Sequence, residues 1–233
     1  MPGGLLIVVA DDYGRAPAYD AGILEAARAQ AVDAVSVIVT GGCDSAALLA
    51  TGAAHGLHLR LTDAEMLDQP AAVVALGEQV DRFERLFGAP PAHLDGHRHC
   101  HAVPAVAAGI AREAARLGIP LRSVSRSHRK TLRALGVATS DRLVGRFSER
   151  EPVVPVTLLP LVEGEGEAPP GVTEWMVHPG HSDPSVGSRY DAGREEDLRA
   201  LLELARRSDI AARRTTHAGA FSLRSPHARG RPR

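Results

Sequence analysis

Apolar residues along this chain fall into short continuous runs that alternate with longer stretches of helical spacing. Leu5-Leu6-Ile7-Val8-Val9 is too short for a helix and rich in β-branched residues, which predicts a strand buried on both faces. Ala10-Asp11-Asp12-Tyr13-Gly14 ends it, with Gly14 opening a turn. The following stretch, with Ala18, Ile23 (or Gly22), Ala26 and Ala27 on one side, predicts a helix. Residues 35–40 predict a second strand, broken by Gly41-Gly42, and the Ala/Leu-rich residues 46–54 a second helix. Alternation over 56–62 predicts a third strand. Val73, Leu76, Val80, Phe83 and Phe87 keep helical spacing up to Gly88 and the Pro90-Pro91 pair. Residues 92–97 predict a short strand, 104–118 a helix, 121–124 a strand, 172–177 a strand and 195–207 the last clear helix.

Strands and helices that alternate in this way predict an α/β fold with parallel strands. A single-domain (β/α) barrel-like architecture of distorted TIM type accommodates them. Residues 126–170 are less periodic and include a Glu/Gly/Pro-rich stretch, 163–170, that predicts a surface loop. Residues 1–223 read as one domain without internal repeats, followed by a basic, Pro/Gly-containing flexible tail, 224–233.

Composition narrows the class of protein. At 233 residues with 44% hydrophobic residues the chain can bury a full core. Its 27 Lys+Arg against 28 Asp+Glu argue against a dedicated nucleic-acid or anionic-membrane binder. No apolar run approaches the ~20 residues of a membrane span, and the first nine residues carry no basic n-region. Cys43 and Cys100 have no CxxC spacing. A soluble cytoplasmic protein is the expectation.

Histidine is the informative residue. Of 11, four alternate with other residues between His93 and His101, and Asp95 takes the remaining place. If extended, His93, Asp95, His97, His99 and His101 line one face, which as a core face would bury polar groups without partners. A metal site supplies partners, with Asp95 orienting a histidine ligand; a solvated His-rich loop is the alternative. Asp11 and Asp12 follow an all-apolar strand. On a regular strand their side chains point to opposite sides, so one could reach a metal and the other a reacting water; a helix-capping role is the alternative. His58 alternates with Leu57 and Leu59, and His178 ends a strand whose face it shares with Glu174; each could equally be a satisfied core histidine. His55, His128, His181, His217 and His227 have no convergent context and are expected on the surface.

In a parallel α/β sheet or barrel the functional face lies at the carboxyl ends of the strands. All four candidate segments share that address. One carboxylate and two imidazoles leave coordination positions open and suit Zn²⁺ and similar first-row ions, Mg²⁺ less naturally. With a second carboxylate as base and a histidine as acid, the reaction class is metal-assisted amide hydrolysis.

These residues resemble the YdjC/ChbG-like carbohydrate deacetylases, relatives of the NodB-type polysaccharide deacetylases. The matching pieces are Ala10-Asp11-Asp12-Tyr13-Gly14, Gly56 to Thr62, Glu78-Gln79 through Phe83, Pro91 through His101 with Pro104, Arg122, and Glu174-Trp175-Met176-Val177-His178-Pro179-Gly180. They occur in family order over most of the chain. The resemblance implies a barrel-like fold, one divalent metal ion (Zn or Mg), and removal of acetyl from an N-acetylated amino sugar or short chitooligosaccharide. It implies Asp12, His58 and His97 as metal ligands, Asp11 as general base, His178 as general acid, and Asp95, Arg122 and Glu174 in support. Tyr13 stands where Phe is more usual, the segment after Thr62 is short, and Trp175, the single tryptophan, is the sugar-stacking candidate.

Two other readings compete. One is a metal-dependent hydrolase of a non-sugar amide or a phosphoester. The latter is disfavoured by the lack of a Gly-rich phosphate loop or clustered Lys/Arg near the strand ends. The other is a non-catalytic metal- or sugar-binding relative, for which Asp11 would be superfluous. The expected partner is a small acetylated sugar, with neither nucleic acid nor membrane. A homodimer is open, with no apolar stripe to mark its interface.

Overall fold

Leu5–Tyr13 (β1) occupies the middle of a six-stranded sheet in the order β4-β3-β2-β1-β6-β5, every pair parallel. The computed structural model describes residues 4–145 and 171–222. The other strands are Ala34–Val37 (β2), Ala54–Leu59 (β3), Leu94–Gly96 (β4), Arg142–Gly145 (β5) and Val172–Val177 (β6). They curl into a partial barrel with helices around it, the α/β parallel architecture that the alternation predicts.

Side-chain alternation divides the sheet into two faces. Leu6, Val8, Val35, Val37, Leu57, Leu59, Leu94, Trp175 and Val177 point to the outer face and form the main core. Most of the opposing residues come from four of the described helices: Pro17–Arg28 (α1), Gln69–Phe87 (α3), Ala107–Leu117 (α4) and Gly193–Leu204 (α6). A short helix, Ser45–Leu49 (α2), adds Leu48. Each large aliphatic buried there contributes roughly 1.5–3 kcal/mol, so this layer dominates cohesion. α3 shows how local sequence sets an element. Asp68 caps its start by accepting from the Ala71 N–H, and Gly88, at φ +70°, ends it in a left-handed turn.

The inner face is different. Ile7, Val9, Ala34 and Val172 form a small apolar patch, closed by Ala220 of the last described helix, His217–Ser222 (α8). Toward the carboxyl ends of the strands this face becomes polar.

Several elements depart from the sequence expectation. The strand predicted at 121–124 is a single bridge from Leu121 to Leu94. A helix, Arg126–Ala134 (α5), and the strand β5 lie in the region whose periodicity predicted neither. β5 is a half-buried edge strand, so it lacks the continuous apolar run that marks a central one. Another short helix, Ser208–Ala211 (α7), precedes α8. The loop predicted at 163–170, the tail at 224–233 and His227 lie outside the described residues. Among the described residues no helix is long and apolar enough to cross a membrane.

Candidate active site

The carboxyl ends of β1, β3, β4 and β6 converge on a cleft of about 500 Å³. Its lining includes Asp11, Asp12, His58, His97, His178 and Tyr190. Asp12 sits at φ +78°, where the β1–β2 register shifts between Ala10 and Tyr13. Aspartate tolerates this left-handed conformation better than most residues. The turn breaks the alternation, so Asp11 and Asp12 both reach the inner face instead of opposite sides.

His58 comes from β3, where it pairs in register with Asp95 of β4. Its Nδ1 lies 2.6 Å from Asp95 Oδ1, and its Nε2 faces Asp12 Oδ1 at 3.5 Å. His97 follows β4, and its Nδ1 lies 2.9 Å from the same Asp12 oxygen. The donor atoms of Asp12, His58 and His97 lie within 4.8 Å of one another.

The His93–His101 run does not line one face. The strand ends at Gly96, and His97–Ala102 forms a tight helical turn in which Arg98 and His99 have φ of 52° and 57°. His93 and Asp95 are therefore buried in the sheet, His97 turns into the cleft, and His101 is buried with its Nε2 donating to the Arg122 carbonyl. Gly56 makes room for His93, since a Cβ there would stand 2.4 Å from its ring.

Arg122 organises the floor of the cleft. Its guanidinium holds Asp11 through both terminal nitrogens (2.6 and 2.9 Å), Asp95 Oδ2 at 2.7 Å and Glu174 Oε1 at 2.5 Å. All four side chains are buried. Burial alone would raise the Asp11 pKa, but Arg122, with the charges of His58 and His178, outweighs it and holds the carboxyl well below its usual range. Burial raises Glu174 as well, but Arg122 and His217 together hold it down to about 2. At His58 burial favours the neutral ring, yet the charges of Asp95 and Asp11 push it up to about 10. Burial pushes His178 below its ordinary value.

The donor chemistry fits a divalent cation at Asp12, His58 and His97. Asp95 fixes His58 through Nδ1 and leaves Nε2 directed at Asp12, the carboxylate–histidine arrangement typical of metal ligands. Asp11, His58 and Asp95 meet the same spacing, but there the Arg122 guanidinium already occupies carboxylate oxygens and would repel a cation.

Comparison with known proteins agrees in extent with this layout: the family model described as YdjC-like protein matches residues 5–212. The chain belongs to that family. A relative from Proteus mirabilis (strain HI4320), named chitooligosaccharide deacetylase, is 29% identical over 90% of this chain and 94% of its own. A mouse protein named carbohydrate deacetylase is 35% identical over 43% of this chain and 44% of its own. Among solved structures, an Enterococcus faecalis V583 protein provisionally named for cellobiose-phosphate cleavage superposes with a TM-score of 0.69 at 21% identity. It covers 95% of each chain and supports the fold.

Not every residue singled out in this YdjC-like chain stands where the sequence suggested. Trp175 is 2% exposed and packs in the outer core, so it offers no ring to a sugar. Strand alternation explains this: Glu174, Met176 and His178 share the inner face, and Trp175 is between them. Tyr190 lines the cleft instead, stacked on His178 with ring centroids 5.2 Å apart. His217, expected on the surface, is buried and stacks on His93 at 4.2 Å. Arg15, Arg98 and Arg189 line the cleft, so its mouth carries cationic groups that three distant segments concealed in the sequence. Ser36 binds Asp95 Oδ2 at 2.7 Å, and Arg194 binds Asp12; neither carries a local sequence signal.

Proposed function

We propose that this chain is a metal-dependent N-deacetylase of a short acetylated amino sugar. The convergence of Asp12, His58 and His97 beside a separately held Asp11 carries the reading. Asp12, His58 and His97 would hold the ion. When bound, a divalent cation supplies Lewis acidity toward the acetamide carbonyl and makes water more acidic.

The chain's own residues divide the proton transfers. Asp11, ionised and fixed by Arg122, accepts a proton as a water oxygen adds to the acetamide carbonyl carbon. Its base strength is moderated by Arg122 and its direction is set by it. His178 then donates a proton to the nitrogen as the carbon–nitrogen bond breaks, giving acetate and a free amine. The lowered pKa of His178 makes its protonated ring a stronger donor. Asp95 and Glu174 keep His58 and Arg122 oriented. Tyr190, rather than Trp175, presents an aromatic surface to the sugar. The names of the relatives from Proteus mirabilis and mouse support the same substrate class.

Acetate release from a panel of N-acetylated monosaccharides and chitooligosaccharides tests this reading. It is measured after chelation and after adding back Zn²⁺, Mg²⁺ or Co²⁺. Release that chelator abolishes and a divalent ion restores is expected; release indifferent to chelator overturns the metal dependence.

A further inference from the structure

Arg194 opens α6 and is 182 residues from Asp12 in sequence, yet the two side chains meet. Its terminal nitrogen lies 2.5 Å from Asp12 Oδ2, while Oδ1 of the same carboxylate faces His58 and His97. Arg194 is fully buried, and its guanidinium lies over the Tyr19 ring, 3.7 Å from the centroid. The Tyr19 hydroxyl donates to Asp191, which also accepts from Ser182 and the Asp183 N–H. The same anchor therefore reaches the segment that carries Ser188, Arg189 and Tyr190 into the cleft. Arg15 reaches Oδ2 at 2.9 Å as well, but it is 17% exposed and its pairing is more strongly screened by solvent.

We propose that Arg194 is a positioning residue: held flat on Tyr19, it occupies one oxygen of Asp12 and reserves the other for the ion. This rests on the ion site proposed above. A carboxylate free at both oxygens could rotate or chelate through both, closing coordination positions that water and substrate need. Groups that orient a ligating carboxylate change metal affinity by about 10- to 100-fold when removed. A lysine restores charge but not the planar group that stacks and bonds together.

The test is Co²⁺ titration of the metal-free full chain, followed by calorimetry and the visible d–d absorption. Wild-type protein binds one Co²⁺, and Asp12→Asn abolishes that binding; failure of either result overturns the ion site and this inference with it. Given both, Arg194→Met weakens Co²⁺ binding about 10- to 100-fold and alters the d–d band, with Arg194→Lys between the two. A folded Arg194→Met protein with wild-type affinity and spectrum overturns the role of Arg194 alone. Should Arg194→Met not fold, Tyr19→Leu carries the test: the same direction of change supports the proposal, and an unchanged spectrum and affinity overturn it.

Discussion

The two faces of the sheet are made by the same strands and held by opposite chemistry. On the outer face Leu57, Leu59, Trp175 and Val177 meet helices through apolar contact alone. On the inner face the neighbouring residues Gly56, His58, Glu174, Met176 and His178 lead into a buried network of ion pairs around Arg122 and Asp12. Apolar packing is non-directional, so many side chains share the outer load and several substitutions can be absorbed. The inner network is directional, and each carboxylate depends on a few named basic side chains. Stability and geometry are therefore divided between the faces.

The largest expected effect separates function from fold. Asp11→Asn should lower deacetylation by about 10²- to 10⁴-fold while Co²⁺ titration stays near wild type. His97→Ala should lose ion binding and activity together. A fully active Asp11→Asn protein would remove the base from the scheme.

Next in size are two substitutions of similar cost and different consequence. Phe83→Ala empties a fully buried outer-face site and should cost about 3–5 kcal/mol in urea unfolding, with kcat of the folded protein retained. Arg122→Ala strands three buried carboxylates and should cost about 3–5 kcal/mol as well, but with activity lost. Equal loss of kcat in both proteins would break the division.

Acidity offers a sharper probe of the inner face alone. The His58 pKa is raised to about 10 from an ordinary value of 6.5, so the proton it gains on folding stabilises the metal-free protein fully below pH 6.5. That contribution is lost as pH rises toward 10. Thermal unfolding of metal-free protein should show Tm falling across that window, and His58→Gln should flatten the fall. Divalent binding must displace the same proton, so Co²⁺ affinity should rise with pH over the same range.

The smallest effect concerns the cleft wall. Tyr190→Ala should raise KM by roughly three- to tenfold, equivalent to about 0.6–1.4 kcal/mol, with little change in kcat. Trp175→Phe, on the outer face, should leave KM unchanged.

Much of this arrangement is legible in the sequence. Short β-branched runs separated by helical spacing set the parallel α/β class, because burial on both faces of a strand demands a continuous apolar run. Asp11, Asp12, His58, His97 and His178 were legible because each stands at or near the carboxyl end of a strand the sequence predicts. The period-two rule then failed where the chain stops being extended. Asp12 turns at φ +78°, and the residues after Gly96 coil, so neither the paired carboxylates nor the histidine run follow strand alternation.

By itself the sequence determined the alternation of strands and helices from β1 to α4 with the later strand β6, the ionisable residues near the strand ends and the apolar faces of α1, α3 and α4, since these depend on neighbours a few positions apart. Only the tertiary structure decided which carboxylate oxygen faces the imidazoles, that Trp175 belongs to the core, and that Arg194 and His217 belong to the buried inner network. Those outcomes depend on strand register and on contacts between segments far apart in the chain, 85 residues for Asp12 and His97 and 182 for Asp12 and Arg194, for which no local pattern exists.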